Sequence, residues 1–339
     1  MLRDERSYSL LPHNTFGIAA RCHRFLEYSN VSEAKETAKI LRDGQVPFMV
    51  IGQGSNLLLT SDYKGIVIHG AIKGVSLMEQ ADGSALLTCA CGEVWDDVVA
   101  WTVDMGFPSL VNLSLIPGEV GASAVQNIGA YGAEASQYIV SVRAIEIVSG
   151  RAVIISGEHC GYGYRSSRFK QEWKNRYLIT HVSYRLNRAD RLSLNYGNIR
   201  SELDRLRLSV PTFSQLRQVI TAIRRQKLPD PKELGNAGSF FMNPVVERQY
   251  FVRLATRWPQ MPYYDVDEEH VKIPAAWLID QCGWKGRTMG RAGVHDRQAL
   301  VLVNCGGATG DEIVSLCRAI QFDVEQRFGI VIQPEVNIV

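Results

Sequence analysis

Across "SEAKETAKILRD", residues 32–43, the apolar positions Ala34, Ala38 and Leu41 fall on one helical face, with Ser32 as a candidate cap and Gly44 as a stop. "VPFMVIG" follows as an apolar run of strand length, so the two predict a helix-to-strand unit. A second helix is expected over "EVWDDVVAWTVDMG", ending at Gly106. Beyond it, "VSVRAIEIV" and "AVIIS" flank Ser149-Gly150 and predict a hairpin, and "YLITHVSYRL" reads as another strand. Near 213–226, Phe213, Leu216, Val219, Ile220 and Ile223 recur at helical spacing until "KLPDPKELGNAG" ends the pattern. Its prolines and glycines mark the strongest domain boundary in the chain. Short helices around "RQYFVRLATRW" and "AAWLIDQCG", a strand "ALVLVN" and a long helix 310–328 complete the pattern. That helix carries a capping box, Thr309 with Glu312, and an apolar stripe of Ile313, Leu316, Cys317, Ile320 and Val324, with Gly329 past its end. The class is mixed α and β, without internal repeats.

At 339 residues the chain exceeds the size at which one core usually stops growing, so two or three domains are expected. Its 46% hydrophobic and 21% charged residues suit a folded enzyme or binding protein. Thirty-seven Lys and Arg against 35 Asp and Glu, with the signs interleaved, give a net charge of +2. That field is too weak for a nucleic-acid groove but allows local cations to hold a phosphate-bearing small molecule. Seven scattered cysteines without a C-x-x-C pair, and no histidine at metal-ligand spacing, read as buried thiols in a reducing cytosol and leave no metal site to expect. The start "MLRDERSYSL" is too charged for a signal peptide, and no apolar run approaches the ~18 residues of a membrane helix. A cytoplasmic location is expected, without membrane or nucleic-acid partners.

Two glycine-rich stretches carry the candidate chemistry. "VIGQGSNLLLT" places Gly52-x-Gly54 after a strand, but Leu57 stands where a dinucleotide fingerprint needs its third glycine, and "NLLLT" continues as a strand. What remains is a possible nest of backbone N–H groups for a pyrophosphate, or a plain glycine turn. "IPGEVGASAVQNIGAYG", residues 116–132, has so little side-chain bulk that its backbone can lie against a flat ligand; the alternative is a tightly packed interdomain loop.

The motifs "IGQGSN", "IPGEVGASAVQNIGAYG", "GYGYRSSRFK", "KLPDPK", "GNAGSFFMNP", "AAWLIDQCGWKG", "VHDRQALVLVN" and "QPEV" resemble, in order and approximate spacing, the UDP-N-acetylenolpyruvoylglucosamine reductase family of bacterial peptidoglycan synthesis. The resemblance runs from Asn14 to the C-terminus. It implies an α+β chain with a vanillyl-alcohol-oxidase type FAD-binding fold in two lobes, 1–69 and 70–225. A separate α/β substrate-binding domain, 226–329, would follow, and a C-terminal strand, 330–339, would return to the active site. It further implies that Ile51, Gly52, Gln53, Gly54, Ser55, Asn56 and Leu57 hold the FAD pyrophosphate region. Ile116, Pro117, Gly118, Gly121, Ala122, Ser123, Asn127, Ile128, Gly129, Ala130, Tyr131 and Gly132 would line the rest of the cofactor.

The family reaction passes a hydride from NADPH to FAD and on to an enolpyruvyl ether of UDP-N-acetylglucosamine. Three residues match its catalytic positions: Arg165 to bind and stabilise the carboxylate, Glu335 to polarise the same group, and Ser239 to deliver the proton. Taken singly, each has another reading: a surface arginine, a solvated edge carboxylate and a turn-capping serine. Tyr164, Tyr196, Lys227, Asn243, Lys285 and Gln298 match substrate-binding positions, with Lys227 also readable as a linker lysine. The chain departs from the common pattern at Ala124, at Asn337 and at Asp296-Arg297. A monomer is expected. The competing readings are an FAD-dependent oxidase, a non-catalytic nucleotide-sugar binder and a serine hydrolase; "NAGSFFM" lacks the glycines of the hydrolase's nucleophile elbow.

Overall fold

The first helix is capped two residues earlier than its apolar spacing suggests. Asn30 Oδ1 accepts the Glu33 amide at 2.9 Å and Glu33 Oε2 accepts the Ser29 amide at 2.8 Å, so the helix runs Val31–Asp43 and takes Ser32 into its first turn. This reciprocal capping satisfies donors at the helix entrance that Ser32 would leave unpaired. The structure, a computed structural model, describes residues 1–44, 46–190, 194 and 198–339. Tyr196 therefore lies outside the described residues.

The described chain divides into two units. The first comprises Met1–Tyr8, Arg21–Gln53 and Tyr63–Arg224. Here Val31–Asp43 is the crossover between parallel strands: Arg21–Tyr28 and Phe48–Ile51 both pair in parallel with Tyr63–Gly70, and Arg3–Ser9 lies at the outer edge. Tyr63–Gly70 is central and buried from Gly65 onward, which accounts for its apolar run Ile66–Ile68. The second sheet is antiparallel, in the order Ala152–Ser156, Ile139–Glu146, Tyr177–Asn187, Ser84–Ala90, Val75–Glu79. The expected hairpin about Ser149-Gly150 is present, with Ser141 opposite Ser156 and Ile145 opposite Ala152. Trp95, from the helix Trp95–Asp104, meets Tyr184 edge-on at 5.7 Å in the core beneath. The helix Phe213–Lys227 buries Leu216, Val219, Ile220 and Ile223 in a satellite cluster with Val103, Val111, Ile199 and Leu203.

The second unit comprises Ser9–Ala20, Gly54–Asp62 and Arg225–Val339. Its main sheet is antiparallel, ordered Gly235–Ser239, Val301–Asn304, Ala292–Val294, Thr288–Met289. The helix Gly310–Phe328 has the expected capping box, and Gly329 closes it at φ +63°. Phe328 joins Trp258 and Trp277 in an aromatic cluster with centroids 5.2 to 6.2 Å apart. A three-stranded sheet of Val245–Glu247, His270–Lys272 and Tyr264–Asp265 stands beside the helices Arg248–Arg257 and Ala275–Gln281. Two segments remote in sequence complete this unit. Thr15 O accepts the Asn236 amide at 3.0 Å and Phe16 O accepts Asn304 Nδ2 at 2.9 Å. Leu57–Leu58 pairs in parallel with Asn337–Ile338.

The seven cysteines are free. Cys22, Cys89, Cys91, Cys160 and Cys317 are buried as expected, but Cys282 is half-buried and Cys305 is exposed on the turn after Val301–Asn304. Among the described residues no helix is long and apolar enough to cross a membrane.

Candidate active site

Ile51 ends the strand Phe48–Ile51 and leads into the first glycine stretch. Gly52 lies against Glu119, whose Oε2 is 3.1 Å from where a Cβ at Gly52 would stand. Gly52 and Gln53 belong to the N-terminal unit, and Gly54 onward to the C-terminal one. Gly54 takes φ +68°, and a side chain there would come within 1.8 Å of the His13 carbonyl oxygen, so only glycine closes this turn. Ser55 and Asn56 are half-buried, and Leu57 is buried in its short strand.

Within the N-terminal unit, residues 116–132 are more ordered than an extended loop. Ile116, Pro117 and Gly118 lead to a helix, Val120–Gln126, that contains Gly121, Ala122 and Ser123. Asn127 closes it in the left-handed conformation at φ +46°. After Ile128 a small hairpin, Gly129–Ala130 with Ala133–Glu134, turns at Tyr131 and Gly132, both at positive φ as a two-residue primed turn requires. Asn127 is fully buried and ties three segments together: Nδ2 donates to Glu134 Oε2 at 2.8 Å and Gly163 O at 2.9 Å, while Oδ1 accepts the Ser136 amide at 2.9 Å.

The Gly163 end of that network carries Arg165. Gly163 and Ser166 exchange backbone hydrogen bonds at 3.0 Å, leaving Tyr164 and Arg165 as the turn. Arg165 stands at φ +53°, the position where a type II turn favours glycine, a conformation that costs a non-glycine residue about 1 kcal/mol or more. Side chains hold it there: Ser167 Oγ donates to Val125 O at 2.7 Å, and Lys170 Nζ donates to Arg165 O at 3.3 Å and to Gln126 Oε1 at 3.0 Å. The Arg165 guanidinium donates from Nη2 to the Gly129 carbonyl and lies 5.2 Å from the centre of the exposed Tyr164 ring. A Cβ at Gly129 would come 2.6 Å from Arg165 Nη1, so the glycine makes room for the cation.

Arg224, absent from the sequence-based candidates, joins this cluster. Burial pulls its pKa down and the Arg165 charge adds to that, against the pull of Tyr131 and Asp96. Its Nε donates to Leu115 O at 3.3 Å. Burial pushes the Tyr131 phenol up, and Arg224 draws it partly back. The signal was present in the sequence: Arg224 continues the core-facing series Leu216, Ile220 by one more helical step, an arginine where the pattern calls for an apolar residue. Small side chains, repeated left-handed backbone and two neighbouring arginines fit a flat, anionic cofactor such as FAD.

In the C-terminal unit the structure brings Ser239 and Glu335 together. Ser239 is the last residue of Gly235–Ser239, opposite Val301 after a bulge that includes Gly238 at φ +68°. It is half-buried and caps no helix. The C-terminal segment runs antiparallel beyond it: Phe241 bridges Pro334, Met242 N donates to Gln333 O at 2.9 Å, and Glu335 N donates to Phe240 O at 2.8 Å. Glu335 is half-buried, and its carbonyl accepts Asn56 Nδ2 at 3.2 Å. Asn337 returns the contact, donating to Asn56 O from its amide and from Nδ2, each at 3.1 Å. Phe240 and Phe241, which follow Ser239 in sequence, are fully buried with ring centroids 5.2 Å apart.

The remaining expected substrate residues are placed separately. Lys227 is half-buried at the last position of Phe213–Lys227. Asn243 Oδ1 accepts the Ala275 amide at 2.9 Å and so anchors the start of Ala275–Gln281. Lys285 lies 3.5 Å from Asp280, and Gln298 folds back on its own turn, accepting the Leu300 amide at 3.4 Å.

Two family models match the chain. One, described as an FAD binding domain, covers residues 23–156; the other, described as the C-terminal domain of UDP-N-acetylenolpyruvoylglucosamine reductase, covers 230–339. The UDP-N-acetylenolpyruvoylglucosamine reductase of Bacteroides fragilis is 48% identical over 337 residues, 99% of this chain and 100% of that protein. The enzymes of the same name from Flavobacterium johnsoniae and Paraburkholderia phymatum are 43% and 44% identical, over 99% and 97% of this chain and 99% and 95% of their own lengths. The crystal structure of the Thermus caldophilus reductase shares the fold at a TM-score of 0.68 and 20% identity, covering 100% of this chain and 99% of that one. The expected fold class, an FAD-binding fold with a separate α/β domain, holds.

Proposed function

The chain belongs to the UDP-N-acetylenolpyruvoylglucosamine reductase family of FAD-dependent oxidoreductases, and we propose that it uses NADPH to reduce the enolpyruvyl ether of UDP-N-acetylglucosamine to the lactyl ether, giving UDP-N-acetylmuramate. Gly52 to Asn56 and Ile116 to Gly132 would hold FAD, which would supply the hydride chemistry between NADPH and the methylene carbon of the ether. Negative charge then develops on the adjacent carbon and its carboxylate, and a proton must follow. Arg165 binds that carboxylate and stabilises the charge through its planar fork of donors. Ser239 gives the proton, and Glu335 polarises the carboxyl group from the neighbouring segment.

The observation that carries this reading is the hydrogen bond from Glu335 N to Phe240 O, 2.8 Å, which sets the carboxylate bearer beside the residue that follows the serine. In the same reading Lys227, Asn243, Lys285 and Gln298, with Tyr164 and Tyr196, contact the nucleotide and sugar. The domain formed by 226–329 receives them, and 330–339 returns to the site. We place the enzyme in the cytoplasm as a monomer acting on small molecules. An anaerobic titration tests the reaction: NADPH should bleach the flavin absorbance, and the enolpyruvyl substrate should restore it. A flavin that NADPH reduces but the substrate fails to reoxidise would overturn the proposal.

A further inference from the structure

Behind the glycine stretch lies a buried histidine between two carboxylates, in a role that neither the fold nor the proposed chemistry assigns. His69 sits on the central strand Tyr63–Gly70, directly opposite Glu27 on one neighbouring strand and Ile51 on the other. Its Nδ1 is 2.7 Å from Glu27 Oε2, and its Nε2 is 3.1 Å from both Glu119 oxygens. His69 and Glu119 are each 8% exposed. A neutral imidazole has a single N–H, so it would aim a lone pair at one of these carboxylates; only the imidazolium donates to both. The same Glu119 reaches to within 3.1 Å of the Cβ position of Gly52. A bare carboxylate there would repel a pyrophosphate, and the buried Glu119 without a counter-charge would be costly in itself.

We propose that His69 is a positioning residue for the cofactor: as an imidazolium clamped between Glu27 and Glu119, it neutralises Glu119 behind the loop that takes the FAD pyrophosphate, and so makes FAD affinity fall as pH rises. The proposal rests on the reading of Gly52 to Asn56 as the pyrophosphate site. Other charged and titratable groups stand nearby. Arg3 Nη1 stands 3.5 Å from the other oxygen of Glu27. Near Glu119, burial holds the Tyr28 phenol well above its ordinary range and pushes the Cys91 thiol up to about 12, so both are neutral. Phe48–Ile51 and the helix Val120–Gln126 contribute no titratable side chain. Burial pulls the His69 pKa down, but Glu119 and then Glu27 outweigh it and leave it above its ordinary 6.5. Affinity that depends on the imidazolium is full while His69 stays protonated in the FAD-free protein and falls as pH rises through its raised pKa there.

The test is FAD affinity of the apoprotein, read by flavin fluorescence between about pH 6 and about pH 9, with thermal melting as a check on folding. Wild type should bind FAD roughly tenfold more weakly at the alkaline end, the factor that one pKa unit of differential interaction represents. His69→Gln should bind about tenfold more weakly than wild type at the acid end, Glu119→Gln should bind tightly without pH dependence, and the double substitution should regain most of the affinity lost in His69→Gln. A pH-independent wild type, a His69→Gln protein that binds as wild type does, or a Glu119→Gln protein that keeps the full pH dependence would overturn the proposal. If His69→Gln does not fold, Glu119→Gln and the double variant decide it. Ser55→Asp separates the two levels. If it leaves FAD affinity intact, the pyrophosphate reading fails; if it weakens FAD while the histidine and glutamate variants change nothing, only the role of His69 fails.

Discussion

In the N-terminal unit, Arg165 rides on a two-residue turn whose left-handed backbone is kept in place by Asn127, Ser167 and Lys170 side chains. In the C-terminal unit, Ser239 and Glu335 are kept in place by main-chain bonds, from Met242 to Gln333 and from Glu335 to Phe240. The difference predicts two responses to mutation. Around Arg165, trimming a side chain that never touches the substrate moves the cation and lowers stability. Around Ser239 the backbone ladder survives side-chain loss, so a substitution should matter only when it removes the reacting group itself.

The largest effect should come from the serine. Ser239→Ala leaves the strand, its bulge and its pairing to Val301 intact, so FAD binding, reduction by NADPH and melting temperature should be close to wild type. Reoxidation of the reduced flavin by the enolpyruvyl substrate should slow by roughly 10²–10⁴-fold, the span typical of general-acid catalysis. Ser239→Cys, which retains a proton to give, should recover part of that loss. Stopped-flow absorbance separates the two half-reactions. Equal slowing of both would mean that the serine supports the flavin pocket, and the comparison would lose its C-terminal half.

Asn127 should give the next effect, of a different kind. Asn127→Ala removes both donors from Nδ2 and the acceptor Oδ1 at a fully buried site, and it places alanine at φ +46°. Losing buried partners costs about 1–3 kcal/mol, and alanine lacks the local side-chain hydrogen bonding that lets asparagine tolerate the left-handed backbone. A lower melting temperature should therefore accompany a loss of turnover in the substrate half-reaction, because the Gly163 carbonyl, left with the Ser166 amide alone, holds the Arg165 turn less firmly. Asn127→Gly removes the backbone strain but not the lost hydrogen bonds, so it should recover stability more than turnover. A destabilised variant with normal substrate reduction would show that the Arg165 turn does not depend on this side chain.

What the sequence disclosed follows the same division. Local signals were legible: the capping box of Thr309 and Glu312, the hairpin at Ser149-Gly150 and the apolar stripe from Leu216 to Ile223 all stand where the pattern put them. The three candidate catalytic residues are proposed from motifs, each in a short and unusual stretch. Pairings between distant segments left no periodic trace. Leu57–Leu58 meets Asn337–Ile338 across some 280 positions, and two residues on each side are too few to alternate. Thr15 and Phe16, which serve the C-terminal sheet through their carbonyls, give no side-chain signal for that role. Arg224 and His69 were legible in principle, as charged or titratable residues where the pattern calls for core, but the partners that explain them come from elsewhere in the fold.

Asn337 should give the smallest effect, and it probes the C-terminal half of the comparison at its weakest point. Its side chain donates to Asn56 O at 3.1 Å from an exposed position. Asn337→Ala removes that bond alone. The Asn337 amide still donates to Asn56 O, Asn56 Nδ2 still donates to Glu335 O, and Val339 N still donates to Leu58 O at 2.9 Å. Loss of one exposed hydrogen bond in a strand otherwise held by its backbone should cost within about 0.5 kcal/mol. Turnover should stay within about twofold of wild type, since a change of that size in free energy corresponds to little more. Steady-state kinetics and a melting curve measure both. A tenfold loss of turnover would mean that the Glu335 segment depends on side chains as much as the Arg165 turn does, and the contrast between the two units would not stand.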